Sequence, residues 1–456
     1  MEKANSLKSS FITKPSVYPN RFSLAFFLSA VTILAFFPTF INSFQLAWDD
    51  TWQVLENPLV HHSSLEVILY HFTHFWQGQY SPVNSVFYML INLVFGMNAT
   101  AFHTACLLIH LINSWLVFSI SIRFISRFLP ILETSKIRGY AFLAALLFAI
   151  HPLQVESVAW ISASKIILYG LFTLSAIWSY FRYIQSKKPI WLIVTALAYV
   201  FGFASKEQAI ILPLNLLLID FAWGRFTGIK WKQLLSTRVI LEKIPFFLLA
   251  LAFLYFTWAN SPGTIQQEAG YPFYQRIVFA FYSLVEYVFR FLAPAKLYFF
   301  HPYPMTPGEA LPLYYWGYLP LAGIIGYFVW DQYRNGNSIV LIGFLFFLVN
   351  LVLVLHIIPL PRPVITADRY TYLSVIGLAW VLVGLGQSWI TSVKSKNLNA
   401  ILLGGLVWII LLGVQTNIRT SEWKDSESTK SNVIELIEKK REAEETDPPF
   451  NLIEHE

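Results

Sequence analysis

Two adjacent carboxylates, Asp49 and Asp50, stand between Trp48 and Trp52 in the stretch NSFQLAWDDTWQVLENP, residues 42–58. They follow directly on an apolar run over 22–41. An acid held at the mouth of a first helix is suited to taking a proton from a hydroxyl. Three other clusters carry ionisable groups near apolar runs: His151-Pro152 and Glu156 in HPLQVESVAW, followed by Lys165; Ser205-Lys206-Glu207; and Asp368-Arg369-Tyr370, shortly after Arg362. Lysine and arginine beside a carboxylate base provide the charge that a departing phosphate requires. Each cluster also has a plainer account. The two acids could solvate a loop, His151-Pro152 could end a helix, and Lys206-Glu207 and Asp368-Arg369 could be pairs that neutralise themselves. Trp48, Trp52, Trp76 and Trp160 are suited to anchoring at a membrane interface. His61, His62, His71 and His74 have no acidic partners at metal-ligand spacing. Asn98-Ala99-Thr100 fits a glycosylation acceptor triplet, a pattern common by chance.

The elements that must position these groups are membrane helices. The chain has 456 residues, 56% hydrophobic and 13% charged, with mean hydropathy +0.54. That is more apolar surface than a soluble core absorbs, so a polytopic, all-α membrane protein is expected. Runs near 22–41, 101–123, 139–152, 164–184, 189–204, 208–223, 244–259, 314–331, 338–356, 370–389 and 398–416 give about eleven transmembrane helices, two of them (139–152 and 189–204) short for a full crossing. The net charge of +6 is no nucleic-acid signal here; it is read loop by loop. Starting inside, the cytoplasmic segments collect Lys3, Lys8, Lys14 and Arg21, then Arg123, Arg127, Lys136 and Arg138, then Arg182, Lys187 and Lys188. Arg225, Lys230, Lys232, Arg238 and Lys243 follow, then Arg334, Lys394 and Lys396. The first external loop, 42–100, has neither Lys nor Arg. The asymmetry places the N-terminus in the cytoplasm and the C-terminus outside. The basic N-terminus resembles a signal peptide, but without a small-residue cleavage site it is expected to be an uncleaved first span. The lone Cys106 excludes an internal disulfide.

This divides the chain into a cytoplasmic N-terminus, 1–21, a membrane domain, 22–418, and a short charged external tail, 419–456. Two external loops are long. In 42–100, LEVILYHFTHFW is expected to lie on the membrane surface, and Ser81 to Phe95 to dip into the bilayer. In 260–313, the aromatic run 273–300 is expected to be re-entrant or interfacial. Glu422 to Glu445 is expected to form an amphipathic helix. With this topology all the ionisable clusters face one aqueous side. A solute pathway would instead need inverted repeats and interrupted helices, and neither is visible.

The ordered set WDDTWQVLENPLV, YSPVNSVFYMLINLVFG, FHTACLLIHLIN, HPLQVESVAWISASKIILYGLF, FASKEQAIILPLNLLLIDF and ITADRYTYLSVIG resembles the transmembrane, tetratricopeptide-repeat-containing O-mannosyltransferases and their bacterial relatives, over most of residues 40–425. The resemblance implies a GT-C-like fold and inverting transfer of a sugar, mannose being one candidate. The donor would be a polyprenyl-phosphate carrier and the acceptor a protein or glycan hydroxyl, on the periplasmic or lumenal face. It also implies that Asp49 matches the first-loop catalytic acid with Asp50 beside it, and that His151 and Glu156 match the HP-x-x-x-E segment. Lys206 and Glu207 match the SKE segment, and Asp368, Arg369 and Tyr370 the A-[ED]-R segment. Two departures stand out. Relatives usually read Tyr-Arg-Pro where this chain has Tyr80-Ser81-Pro82, and they continue into repeats, which leaves acceptor presentation either absent or with a partner.

The resulting expectation is a lipid-phosphate-sugar-dependent glycosyltransferase. Asp49 is the general base, with Asp50 assisting or binding acceptor. Lys206, Arg369 and Lys165 hold the donor phosphate, and His151, Glu156, Glu207, Asp368 and Tyr370 shape the site. No cofactor is expected, and no metal site. Besides the donor and acceptor, the expected partners are membrane lipids and no nucleic acid. The rivals are a lipid or solute transporter or flippase, an O-antigen-type ligase or polymerase, which would want an arginine-rich external loop, and a non-catalytic scaffold.

Overall fold

The structure, a computed structural model, describes residues 20–226, 237–260, 270–295, 297, 301–357, 364–392, 395–431 and 434. Expectations placed on the chain before residue 20, on Lys230, Lys232, Lys296, Arg362 and Lys394, and on the tail beyond 434 lie outside the described residues.

Each apolar run expected from the sequence is occupied by a helix: Arg21–Ala35, Ala99–Phe128, Thr134–Ile150, Ser164–Ser186, Ile190–Ser205, Leu212–Ala222, Ile244–Ala259, Tyr318–Arg334, Ser338–Leu351, Ser374–Ser392 and Ser395–Glu422. Four segments are long and apolar enough to cross a membrane: Ala99–Phe128, Ile161–Ser186, Arg238–Ala259 and Leu398–Glu422. Thr134–Ile150 and Pro152–Ala159 together would make a fifth, bent by 51°. The chain is thus a helical, membrane-embedded protein, but helix length does not supply the eleven full crossings expected. The 15 residues of Arg21–Ala35 rise roughly 22 Å against a hydrocarbon thickness of about 30 Å. The run stops because Pro38 opens the separate 3-10 turn Phe37–Ile41. Leu212–Ala222 is shortened likewise: Pro213 has no N–H to give to the preceding 3-10 segment, Glu207–Ile211.

The two long segments between the apolar runs, 42–100 and 260–313, carry helices of their own, as the helical spacing over 65–76 led one to expect for the first. Leu65–Thr73 and Pro82–Phe95 form in the first, and Phe273–Leu292 in the second. Phe273–Leu292 buries its polar stripe, Gln275, Ser283 and Arg290, and leaves Phe273, Tyr274 and Phe289 exposed. One antiparallel ladder departs from an all-α expectation. His301–Pro302 pairs with Val364–Thr366, joining the second long loop to the segment before Asp368. At the other end, the last long helix stops at Glu422, and a new turn of helix starts after Asp425, whose carboxylate caps Ser428 N at 2.8 Å. The helix expected to start at Glu422 is therefore broken there.

The centre of the molecule is an unusual stretch. From Ala144 to Ser164 no residue is exposed or even half-exposed. It leaves the helix Thr134–Ile150, which is apolar all round over its last turns as a fully enclosed helix must be. The chain then breaks at His151-Pro152 and runs through three short helical turns into Ser164–Ser186. Its polar atoms are met from several directions. Ile150 O accepts from Thr416 Oγ1, Pro152 O from Arg419, and Ile161 O from Tyr88 OH, while Gln154 Nε2 donates to Tyr372 O. Buried irregular backbone at membrane depth is tolerated only when protein satisfies it in this way.

Candidate active site

Asp49 and Asp50 sit on a loop that is seated by the segment Thr420–Thr429. Asn42 Nδ2 donates to Thr420 O at 3.0 Å, Gln45 Nε2 to Trp423 O at 2.7 Å, and Ser43 N to Lys424 O at 2.7 Å. Trp48 Nε1 donates to Thr429 Oγ1, whose own hydroxyl donates to Gln45 Oε1. Trp160 ties the two together: it packs edge-on against Trp48 and stacks on Trp423 at 5.6 Å. Immediately after Asp50 the chain makes one π turn, Thr51–Leu55, a local geometry frequent at functional sites.

The two acids have opposite environments. Asp50 is fully buried. Its Oδ1 accepts from the backbone N–H and hydroxyl of Ser162, and its Oδ2 from Gln45 N at 2.8 Å. Burial pushes its pKa up to about 6; the bonds from Ser162 and Gln45 pull down and the neighbouring Asp49 charge adds to the rise. Asp50 is thus the acid that pins the loop to the central stretch, and it has no face on the open side. Asp49 is half-exposed and accepts from Trp52 Nε1 at 3.2 Å and Gln53 Nε2 at 3.3 Å.

Lys165, at the start of the helix Ser164–Ser186, is half-buried and donates to Gln79 Oε1 at 2.7 Å. Asp49, Glu207, Lys206 and Arg369 all act on it electrostatically, so these five charges share one locality. Lys206 pairs with Glu207 at 3.0 Å; Lys206 is almost buried and Glu207 half-exposed. Arg369 does not pair with Asp368. Its backbone N–H donates to Glu156 Oε2 at 2.8 Å, and its guanidinium grips Glu156 Oε1, lies 5.6 Å from the Trp160 ring centre and 5.1 Å from that of Tyr370. Burial by itself would lower the Arg369 pKa, but Glu156 more than offsets it and the net direction is upward. The Arg369 side chain keeps a quarter of its surface exposed.

Two expected site residues face elsewhere. His151 is fully buried: its Nδ1 accepts from Leu153 N, its Nε2 meets Phe291 O at 2.9 Å, and its ring stacks on Phe291. It ends the helix rather than lining an open site. Asp368 is buried with two arginines that the sequence did not single out for chemistry. Arg419 bonds it at 2.8 Å and Arg290 lies 3.8 Å away. Arg290 also donates to Thr366 Oγ1 and meets His301 Nε2 at 3.1 Å. Burial first, and the Arg290 charge next, hold His301 down to about 3, which leaves it neutral beside that guanidinium.

Beside Asp49 the first loop encloses a recess of about 350 Å³, its open mouth included. Trp52 and Gln53, the two donors to Asp49, line it; so does Gln79, the partner of Lys165. Gln79 is placed by a tight turn in which Trp76 and Gln79 exchange both backbone bonds at 2.9 Å. The two central residues, Gln77 and Gly78, have φ of 47° and 74°, as a type I′ turn demands. His71 also lines the recess; burial lowers its pKa despite a bond to Leu59 O, so it is neutral at pH 7. Among the described residues no three His, Cys, Asp or Glu side chains converge as a metal site.

No family model matches the chain, nor does any curated protein or solved structure.

Proposed function

We propose that the protein is a GT-C-type membrane glycosyltransferase, moving a sugar from a polyprenyl-phosphate donor to a hydroxyl on the non-cytoplasmic side. The observation that carries the proposal is the pairing of one half-open carboxylate, Asp49, with Lys165, Lys206 and Arg369, which come from three separate helix beginnings and ends. The acceptor oxygen would lose its proton to Asp49 and attack the anomeric carbon. The bond from that carbon to the phosphate oxygen would break on the far side, with inversion. The polyprenyl phosphate would leave against the cations, whose role is to stabilise its growing charge. Arg369 and Lys206 enter this scheme already paired, to Glu156 and Glu207, so they would serve by field more than by a free ammonium or guanidinium. Lys165, bonded to the neutral Gln79, is the cation whose charge is not answered by a direct ion pair among the described residues. The eleven crossings, the N-inside topology and the likeness to the O-mannosyltransferase relatives belong to this same proposal.

A second reading, lipid or solute transport, has one observation in its favour. The 51° break at His151-Pro152 is an interrupted helix of the kind such a pathway uses; the sequence marked that dipeptide only as a possible helix end. The test is consumption of radiolabelled polyprenyl-phosphate sugar by purified protein in detergent, wild type beside Asp49→Asn. Turnover that the substitution removes supports transfer. Donor left intact by wild type, with labelled lipid flipped in proteoliposomes, supports transport instead.

A further inference from the structure

We infer that the end of the helix bundle away from Asp49 holds the phosphate of an anionic lipid headgroup, gripped by Arg21, Arg123 and Arg182. The three arginines come from three helices: Arg21–Ala35, Ala99–Phe128 and Ser164–Ser186. Thr100, at the start of the second of these, bonds Phe40 O beside the first loop. Arg123 lies roughly 35 Å further along the axis. The cluster is therefore about a bilayer's thickness from the candidate active site and takes no part in it. Ring contacts hold it in shape. Arg123 Cζ and Arg182 Cζ lie 5.5 and 5.7 Å from the ring centre of Trp178, and Arg182 Cζ is also 5.4 Å from that of Trp191. The two indoles meet edge-on, and Trp178 Nε1 donates to Ser119 Oγ, which Arg123 also bonds at 2.8 Å.

What the cluster lacks is a counter-charge. Arg182 and Arg21 act on Arg123 electrostatically, and among the described residues no carboxylate does. Arg123 donates only to Ser119, and the side chains of Arg21 and Arg182 donate to nothing among the described residues. Beside it, around Tyr180 and Tyr183 of the same helix, the cations are answered within the protein. Arg225 pairs with Asp220 and Glu242, Arg238 with Glu242, and Lys243 with Asp220. Three gathered guanidiniums repel one another, and a phosphate relieves this by accepting from several of them at once. Arg21 and Arg182 are exposed and Arg123 is half-buried, so an anion approaching from the surface needs no cavity. The flanks favour a lipid over a free anion. Phe22 and Phe26 beside Arg21, and Ile190 and Ile193 beside Trp191, are exposed apolar side chains placed for acyl chains. The half-buried Trp178 and Trp191 suit the headgroup layer.

The experiment uses the full chain purified in an uncharged detergent. The probes are phosphatidylglycerol, phosphatidylcholine with the same acyl chains, and inorganic phosphate. Native mass spectrometry counts the retained lipid, and thermal melting reads the stabilisation it brings. The expected result is that phosphatidylglycerol is retained and raises the melting temperature, while the other two probes do neither. Its apparent affinity should fall about fivefold in Arg182→Gln and in Arg21→Gln, which is what one basic residue contributes beside an anionic headgroup, and further in the double variant. Arg138→Gln, on the helix Thr134–Ile150 and outside the cluster, should change nothing. Arg21 and Arg182 are both exposed, so their variants keep the question open even where Arg123→Gln fails to fold. Phosphatidylcholine retained equally well, stabilisation by inorganic phosphate alone, unchanged affinity in the double variant, or an equal loss in Arg138→Gln would each overturn the assignment.

Discussion

At the scale of single residues, two neighbouring aspartates have been given separate work by their surroundings. Asp49 faces the open side with two side-chain donors; Asp50 spends both oxygens on the fold. Under the proposed reaction, Asp49→Asn removes the base and is expected to slow donor consumption by roughly 10²–10⁴-fold. Its thermal melt in detergent should stay near wild type, and a drop in melting temperature that parallels the lost turnover would count against a catalytic role. Asp50→Asn is expected to behave the other way. It would place an N–H donor against the N–H of Gln45 or Ser162, a mismatch worth about 1–3 kcal/mol, visible as early melting whether or not a substrate is present. The acidity of Asp50 adds a pH dependence. Its pKa is higher in the seated loop than in the open one, so the seated loop is favoured below about pH 4. That advantage fades as pH rises through about 6. The full difference is on the order of 3 kcal/mol. Hydrogen exchange at loop 42–57, corrected for intrinsic rates, should therefore show more opening at pH 7.5 than at pH 5; equal protection at both would refute it.

At the scale of elements, the helices were legible in the sequence and the contacts between them were not. Apolar runs announce helices because lipid and core impose the same demand, and each of the eleven runs coincides with one. Their ends were harder to place, since 3-10 segments beside prolines such as Pro38 and Pro213 take up apolar residues at the end of one run and the start of another. The candidate charges were legible for the same reason that they are rare: a carboxylate or lysine in an apolar chain stands out. What each would pair with was hidden. Arg369 looked like the partner of Asp368, its neighbour, but it bonds Glu156, 213 positions away. Asp368 instead takes Arg419, counted in the sequence as part of a charged tail. Ser162 and the recess glutamines gave no signal, because neutral polar side chains carry none without a partner in view. One packing detail yields a sharp expectation. The helices Ser338–Leu351 and Ser374–Ser392 cross at Gly343 and Gly377, where a Cβ on Gly343 would sit 2.7 Å from the Gly377 carbonyl oxygen. Backbone cannot step aside as a side chain does, so Gly343→Ala should destabilise by at least the roughly 1–3 kcal/mol of ordinary overpacking. Melting in detergent checks it, and an unchanged melt would mean that the two helices are free to separate.

At the scale of the whole molecule, the fold closes on itself. The central stretch Ala144–Ser164 receives the first loop through Ser162, the segment before the tenth helix through Glu156, and the last helix through Ile150 and Pro152. The loop bearing Asp49 and the segment Thr420–Thr429 meet across 378 positions of chain. Removing the chain from Thr420 onward is expected to leave the membrane helices folded but loop 42–57 loose, read as rapid chymotrypsin or exchange attack there and unchanged protection in Ala99–Phe128; a loop that stays protected would show that Asp50 and Ser162 suffice. Consider the order in which a ribosome delivers these pieces. The first loop is translated soon after the first helix, while its seat is among the last residues described here, and long-range closures of this kind are slow to form. A half-synthesised chain therefore carries the loop of Asp49 through most of its birth with Ser162 as an anchor but without the seat at Thr420–Thr429, which is delivered hundreds of residues later.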